Sequence, residues 1–529
     1  MLGRGSRNTP RGPGRPRWPT LHVSPDPREP YCFDMGADVE AQEFSRADRT
    51  RHREKVRVCL DVFAHMLREA RFDTDDPMTG LEVELNLVDV FGDPALKNAE
   101  VLAAIADPDF QTELGQFNIE INLAPQRLRE GGLTAFETSL RQSLNSAEAS
   151  SSKVGAYLVM IGILPTLAQG HMAASSISAN PRYALLGEQI LAARGEDLVI
   201  SIHGDEKLDT TSESILPEAA CTSTQFHVQT SPEQFANYWN ASQCIAGVQV
   251  ALGANSPYLL GKRLWRETRI PLFEQATDTR SEELRAQGVR PRVWFGESWI
   301  NSVFDLFEEN VRYFPALLPI TEDEDPVAVL ASGGVPELHE LRLHNGTIYR
   351  WNRPVYDIAG GVPHLRVENR ILAAGPTVVD MIANAAFYFG LVRSLAEDER
   401  PVWSRMSFMA AEENFHEAAQ QGIHTKVYWP GLGEVSATEL VLRRLLPLAD
   451  AGLQEWGVSA QERDRLLGII EQRCVKQTNG AEWFVTKMEQ REAAGARFGR
   501  PAERYDDLRE VLLEYRDNMH TNEPVHTWQ

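Results

Sequence analysis

Between Leu81 and Leu87 the chain alternates: Leu81, Val83, Leu85 and Leu87 are apolar, and Glu82, Glu84 and Asn86 stand between them. A strand sends successive side chains to opposite faces, so this period of two predicts a β-strand with an aliphatic face and a carboxylate-bearing face. Residues two apart on one face lie roughly 7 Å from each other, enough to serve two cations or two ends of one polyanion. The same alternation returns over Phe117–Leu123, with Asn118, Glu120 and Asn122 on the polar side. It returns again where Phe226 and Val228 oppose Gln225, His227 and Gln229, and in "HLRVENRIL", which puts Arg366, Glu368 and Arg370 on one face. The apolar run "AYLVMIGILP" carries Gly162, ends at Pro165 and reads as a buried strand. The segment Glu337–Pro354, with Asn345-Gly346 at its centre, predicts a β-hairpin.

Helical spacing marks other stretches. Val56, Leu60, Phe63 and Leu67 predict a first helix, "AEVLAAIAD" a second, and residues 134–153 a longer third. Ser231 and Pro232 have the chemistry of a helix cap followed by a first helical residue. Beyond Pro376 helical periodicity dominates, notably in "TELVLRRLLPLADAGLQEWG" and "ERDRLLGIIEQRCV". Residues 170–216, rich in Ser, Asn, Gly and Asp, read as mobile loops and short helices. The first 34 residues are rich in Arg, Pro and Gly without apolar periodicity, which predicts a disordered extension. Their interleaved prolines prevent an amphipathic targeting helix, and translation is expected to begin properly at Met35.

Strands and helices do not alternate with Gly-rich turns, which disfavours a doubly wound parallel sheet. An α+β fold follows: an antiparallel or mixed sheet with helices outside. A solvated outer face is the simplest origin of one polar strand face. Here several strands share the property and none of the polar faces contains Lys, as an outer face usually does. Polar groups converging from several strands therefore read as the lining of a cavity.

The chain has 529 residues, enough for a large core, and a net charge of -22. That charge argues against a nucleic-acid binder, whose affinity comes from clustered Lys and Arg, but leaves room for a nucleotide held through metal ions. Five scattered cysteines without a C-x-x-C pair suit a reducing, cytoplasmic location. No stretch approaches the ~18 uninterrupted apolar residues of a membrane span, so neither a membrane nor a nucleic acid is expected as partner. Oligomeric state is not legible.

The usual nucleotide and hydrolase signatures fail. "GANSPYLLGKR" lacks the spacing and the hydroxyl of a phosphate-binding loop, and no G-x-G-x-x-G or G-x-S-x-G occurs. In "HELRLH" the histidines are five apart and would not share a helix face, so a zinc hydrolase is unsupported. What remains is Glu82, Glu84, Glu113, Glu120, His227 and Glu368, an oxygen-rich set suited to hard cations such as Mg²⁺ or Mn²⁺. Arg366 and Arg370 have the forked geometry to grip a phosphate or carboxylate. Each has a plainer reading: His227 as a satisfied core histidine, and the Arg-Glu-Arg face as a salt-bridge ladder.

The ordered set "GLEVELNL", "TELGQFNIEINLAP", "MIGILPTL", "TQFHVQTS" and "LRVENRILAAGP" resembles the glutamate-cysteine ligase family, in its bacterial and plant-type carboxylate-amine ligase branch. The resemblance implies a glutamine-synthetase-like fold, a curved antiparallel sheet forming a funnel, with residues 35–400 as the catalytic domain and 401–529 as a helical region packed on it. It implies ATP-driven joining of the γ-carboxyl of glutamate to the amine of cysteine through an acyl phosphate, with ADP and phosphate released. By the same resemblance Glu82, Glu84, Glu113, Glu120 and His227 are metal positions, and Glu368 and Arg370 form a pair handling metal and phosphate. Two alternatives stay open: the same chemistry on another amine or acid, and a non-catalytic binding protein on this fold.

Overall fold

The computed structural model describes residues 44–69, 71–73, 77–129, 131–493 and 501–529. The extension expected over residues 1–34 and the start at Met35 lie outside them. The alternating segments all become strands of one seven-stranded sheet: β1 (Thr79–Val88), β2 (Phe110–Thr112), β3 (Asn118–Gln126), β4 (Tyr157–Val159), β5 (Ser223–Thr230), β6 (Asn352–Ala359) and β7 (Val362–Ala373). The order is β6-β7-β5-β1-β3-β2, with β4 beside the end of β1, and every pairing is antiparallel. Register shifts between Thr79 and Leu81 and between Asn369 and Leu372 add local bend and twist, and the sheet curls into a half-barrel. The expected α+β class with a curved antiparallel sheet is therefore what the chain adopts.

The helices that frame the sheet include α1 (Arg46–Arg68), α2 (Pro181–Arg194), α3 (Phe235–Gly253), α4 (Val303–Tyr313), α5 (His339–Gly346), α6 (Val378–Ala396), α7 (Leu446–Glu455) and α8 (Ala460–Lys476). Leu81, Val83, Leu85 and Leu87 share one apolar cluster with Ile119, Phe226 and Val367 of the sheet, Ile245 of α3 and Ile382 of α6. Burying this face removes several hundred Å² of hydrocarbon from water, at about 25 cal/mol per Å². α6 is long and apolar enough to cross a membrane by length and composition, yet 89% of that window is buried inside the protein. A helix that is apolar all round and covered all round is a core helix.

The chain after residue 400 is bound into the same body. Tyr515, fully buried, donates to the Met160 carbonyl at 2.8 Å and accepts from Asn255 Nδ2 at 2.8 Å. α6 and α7 cross at Gly390 and Gly452, so closely that a Cβ on Gly452 would enter the Gly390 carbonyl. Helix propensity alone favours Ala over Gly by about 1 kcal/mol, while overpacking a tight contact costs about 1–3 kcal/mol or more. Gly452→Ala is therefore expected to lower the thermal midpoint; a midpoint at or above wild type would show that the helices can separate there without loss.

Several local expectations are overturned. Asn345-Gly346 is no hairpin turn: residues 339–346 form α5, because Asn345 is drawn into the core, accepting from Asn310 Nδ2 at 2.9 Å and donating to Pro354 O at 2.8 Å. Ser231 closes a turn through the Gln234 amide, and α3 begins only at Phe235. Only Tyr157–Val159 of the apolar run pairs as a strand. Residues 170–216 contain α2, capped by Asn180 and started by Pro181, and a two-stranded hairpin of Leu198–His203 and Lys207–Ser212. The hairpin turns Leu198, Ile200 and Ile202 inward and leaves the alternate residues exposed, a period of two that the surrounding polar text masks.

Candidate active site

Register decides which polar residues meet. Glu84 lies opposite Glu120 across β1 and β3, and Glu82 lies between Asn122 and Gln225. Gly80 faces His227, which in turn faces Glu368, and Glu368 faces Arg353 of β6. The polar face is not solvated: Glu82, Glu84, His227 and Glu368 are all buried. It floors a cavity of about 200 Å³.

Glu84, Glu113 and Glu120 each present a carboxylate oxygen within 4.8 Å of the other two. Glu113 follows the short strand β2, which pairs with β3 so that Gln111 faces Glu120. Glu84 is held in place by the amide and hydroxyl of Ser223, at 2.7 and 3.0 Å, and by Gln225 Nε2 at 2.9 Å. Glu120 accepts from Asn122 Nδ2 at 2.9 Å, and Glu113 from the Leu114 amide at 3.1 Å. Burial and then the Glu84 charge push the Glu113 carboxyl up to about 7. Burial, then Glu82, Glu113 and Glu84, raise Glu120 well above the usual carboxylate range, and burial raises Glu84 against the pull of Arg370. Three acids, Glu84 buried and Glu113 and Glu120 half-buried, that repel one another and are oriented by hydrogen bonds fit a hard divalent cation, which takes oxygen ligands and would remove that repulsion.

The other predicted residues sit apart from this group. Glu82 lines the cavity, with its Oε1 2.9 Å from His227 Nε2. His227 Nδ1 in turn accepts from Arg366 Nε at 3.1 Å. Arg366 also donates to Asp357 at 2.9 Å; it lies further along the same polar face and does not line the cavity. Glu368 is gripped by Arg353 through Nε and Nη2, at 3.0 and 2.8 Å, and by Arg370 Nη1 at 3.0 Å. Burial works to raise its pKa, but Arg353 and Arg370 outweigh this and hold it at about 2. Arg370 reaches the cavity. Burial opposes its charge, but Glu368, Glu84, Glu82 and Glu120 more than compensate and keep it protonated.

Arg353→Met is expected to cost about 3 kcal/mol in urea unfolding, because a buried carboxylate loses its forked partner. Arg353→Met with Glu368→Gln should recover most of that loss. A single variant as stable as wild type would make the pair dispensable.

Sequence reasoning missed much of the wall. Arg353, Arg269 and Arg182 add cationic groups, and Phe273, Tyr349 and Trp351 add aromatic surface. Arg353 went unseen because its segment read as a hairpin arm; the usable signal was its pairing partner, a strand with Glu368 at its centre. Arg182 and Tyr183 arrive on the first turn of α2, where Tyr183 Oη donates to Thr112 O at 2.9 Å. Glu218 also lines the cavity, raised to about 8 by burial and then by Glu113. The cavity wall thus carries both carboxylates and guanidinium groups, side chains whose chemistry suits cations and anions respectively.

The sequence model of glutamate-cysteine ligase family 2 (GCS2) matches residues 78–497, most of the chain. The chain belongs to this family. Membership makes it a carboxylate-amine ligase, and the matched span takes in every predicted site residue. No curated protein matches it. Among solved structures it is similar to a glutamate-cysteine ligase from Francisella tularensis in complex with AMP, at 13% identity over 84% of this chain and 90% of that one, with a TM-score of 0.49. It is also similar to a bifunctional glutathione synthetase from Pasteurella multocida, at 12% identity over 89% of this chain and 55% of that one, with a TM-score of 0.48. A third is the complex of the prokaryotic ubiquitin-like protein Pup with its ligase PafA, at 11% identity over 84% of this chain and 76% of that one, with a TM-score of 0.34. All three are distant likenesses.

Proposed function

We propose that this family member is an ATP-dependent ligase joining the γ-carboxyl of glutamate to the amine of cysteine, with ADP and phosphate as products. The observation that carries the reading is the group Glu84, Glu113 and Glu120 lying in one cavity with Arg370. In this reading the three glutamates hold Mg²⁺ or Mn²⁺, which when bound neutralises phosphate oxygens of ATP. Arg370, steadied by Glu368, donates hydrogen bonds to the migrating phosphoryl group, where charge is redistributed in the transition state. His227 and Arg366 act through Glu82, fixing its carboxylate at the cavity edge. A carboxylate is a poor electrophile and its oxygen a poor leaving group; transfer of the γ-phosphoryl group from ATP to the γ-carboxylate releases ADP and makes that oxygen part of a phosphate leaving group. The neutral amine then attacks the acyl carbon, the C–O bond to phosphate breaks, phosphate departs, and the nitrogen gives up its extra proton to solvent to leave the amide. Arg182, Arg269 and Arg353 also line the cavity, and their positive charge would attract the α-carboxylates of the two amino acids even though Arg269 and Arg353 are already paired with Glu267 and Glu368.

The test is ADP release with ATP, Mg²⁺, glutamate and a panel of amines. Turnover highest with cysteine is expected. Turnover with another acid or amine but not this pair would give the same chemistry to different substrates. No nucleotide turnover with any pair would favour a binding protein.

A further inference from the structure

A second concave site lies away from the ligase cavity, between α1 and the end of α4 with its following residues 314–316, and encloses about 400 Å³. That volume falls in the range of small-molecule sites, roughly 300–1,000 Å³. Arg49, Arg53 and Arg57 line it at helical spacing from α1, and Arg312 lines it from α4. All four are exposed. Arg312 is paired with Glu308 at 2.6 Å, whereas among the described residues no carboxylate is in ion-pair range of Arg49, Arg53 or Arg57. A cationic concavity of this kind stands out on a chain of net charge -22.

The inner wall adds two histidines. His52 and His344 both line the site and are 1% and 5% exposed. His52 Nδ1 lies 2.7 Å from Ile320 O, and His344 Nε2 lies 2.9 Å from Asn310 O. A carbonyl only accepts, so each bonded nitrogen carries the proton and the other nitrogen of each ring is an acceptor. Those two nitrogens, His52 Nε2 and His344 Nδ1, are buried and have no hydrogen-bond partner. Burial keeps both rings neutral, pulling His344 down to about 4. Glu340, a buried carboxylate whose charge reaches His52, is itself paired with Lys55 at 3.3 Å.

Behind the wall Arg292 is 1% exposed and, among the described residues, donates only to the carbonyls of Thr347 and Pro315. Among the described residues it has no carboxylate in ion-pair range. A buried guanidinium without a counter-charge is unfavourable, and an anion seated against residues 314–316 would relieve it.

We propose that this site binds a phosphate ester carrying hydroxyl groups, its phosphate among Arg49, Arg53 and Arg57 and its hydroxyls donating toward His52 and His344. Arginines match phosphate oxygens by forked hydrogen bonds, and a hydroxyl supplies the donor that a neutral imidazole nitrogen lacks. A polyanion such as nucleic acid is disfavoured by the overall negative field. α5 joins the two sites: His344 lines this one and Gly346 lines the ligase cavity.

The experiment is isothermal titration of the full chain with ribose 5-phosphate, with ribose and inorganic phosphate as controls. Saturable binding of ribose 5-phosphate is expected, tighter than that of either control. Arg53→Ala with Arg57→Ala should weaken it at least about tenfold while leaving the melting temperature and ADP-forming turnover unchanged. Arg370→Ala should leave it intact, which separates this site from the ligase cavity. Absence of saturable binding, equal affinity for inorganic phosphate, or binding that survives the double arginine variant but is lost in Arg370→Ala would overturn the proposal.

Discussion

Glu84→Gln and Glu120→Gln are expected to lower turnover by at least about a hundredfold, equivalent to about 2.7 kcal/mol of transition-state stabilisation, while the fold persists. An amide is nearly isosteric with a carboxylate but is a far weaker ligand for a hard cation. The stability change carries the more specific signature. Glu84, Glu113 and Glu120 repel one another at close range; burial raises the pKa of all three, and neighbouring carboxylates raise Glu113 and Glu120 further. Removing one charge relieves that repulsion, so Glu120→Gln should melt at or above the wild-type temperature in chelator. Wild type should be stabilised by added Mg²⁺ through binding linkage, and the variant should lose most of that shift. Equal Mg²⁺-dependent shifts in wild type and both variants, with wild-type turnover, would reduce the three glutamates to a strained patch of core. Glu82→Gln should be milder, since its carboxylate faces His227 and stands outside the group of three.

With ATP, Mg²⁺ and glutamate but no amine substrate, hydroxylamine is expected to trap the activated acid as a hydroxamate, with one ADP formed for each. Arg370→Ala should suppress trapping at least about a hundredfold, in line with the loss of one transition-state hydrogen-bond donor, and weaken ATP binding much less. The reason lies in placement: Arg370 Nη1 is tied to Glu368 at 3.0 Å while the side chain still lines the cavity, so its charge is aimed and immobile. A preorganised cation acts mainly where charge moves in the transition state. AMP as the nucleotide product would refute an acyl phosphate, and unchanged trapping in Arg370→Ala would move the phosphoryl-stabilising role to Arg269, Arg182 or Arg353.

Expectations that rested on one residue pair fared worse than those that rested on a repeated period. Asn345-Gly346 has strong turn chemistry, but Asn310 and the Pro354 carbonyl satisfy the Asn345 amide within a helix. Ser231-Pro232 has the composition of a helix start, yet the helix waits until Phe235, the first residue that reaches the core. Local signals of this size are worth about 1 kcal/mol, and tertiary burial readily exceeds that.

What the sequence by itself determined is the set of strands β1, β3, β5 and β7, and which of their faces is polar. Backbone sterics impose a period of two within each segment, so Leu81 and Glu82 must point apart wherever the strand lies. The tertiary structure alone decided which polar residues meet. Antiparallel register sets Glu84 against Glu120 and brings Glu113 to them from beyond β2, while Glu82 pairs with His227 and Glu368 is taken by Arg353 and Arg370. Coulomb energy depends on separation in space, which strand order and sheet curvature govern, and the six candidate residues therefore part into a carboxylate triplet, an edge pair and a glutamate held by two arginines.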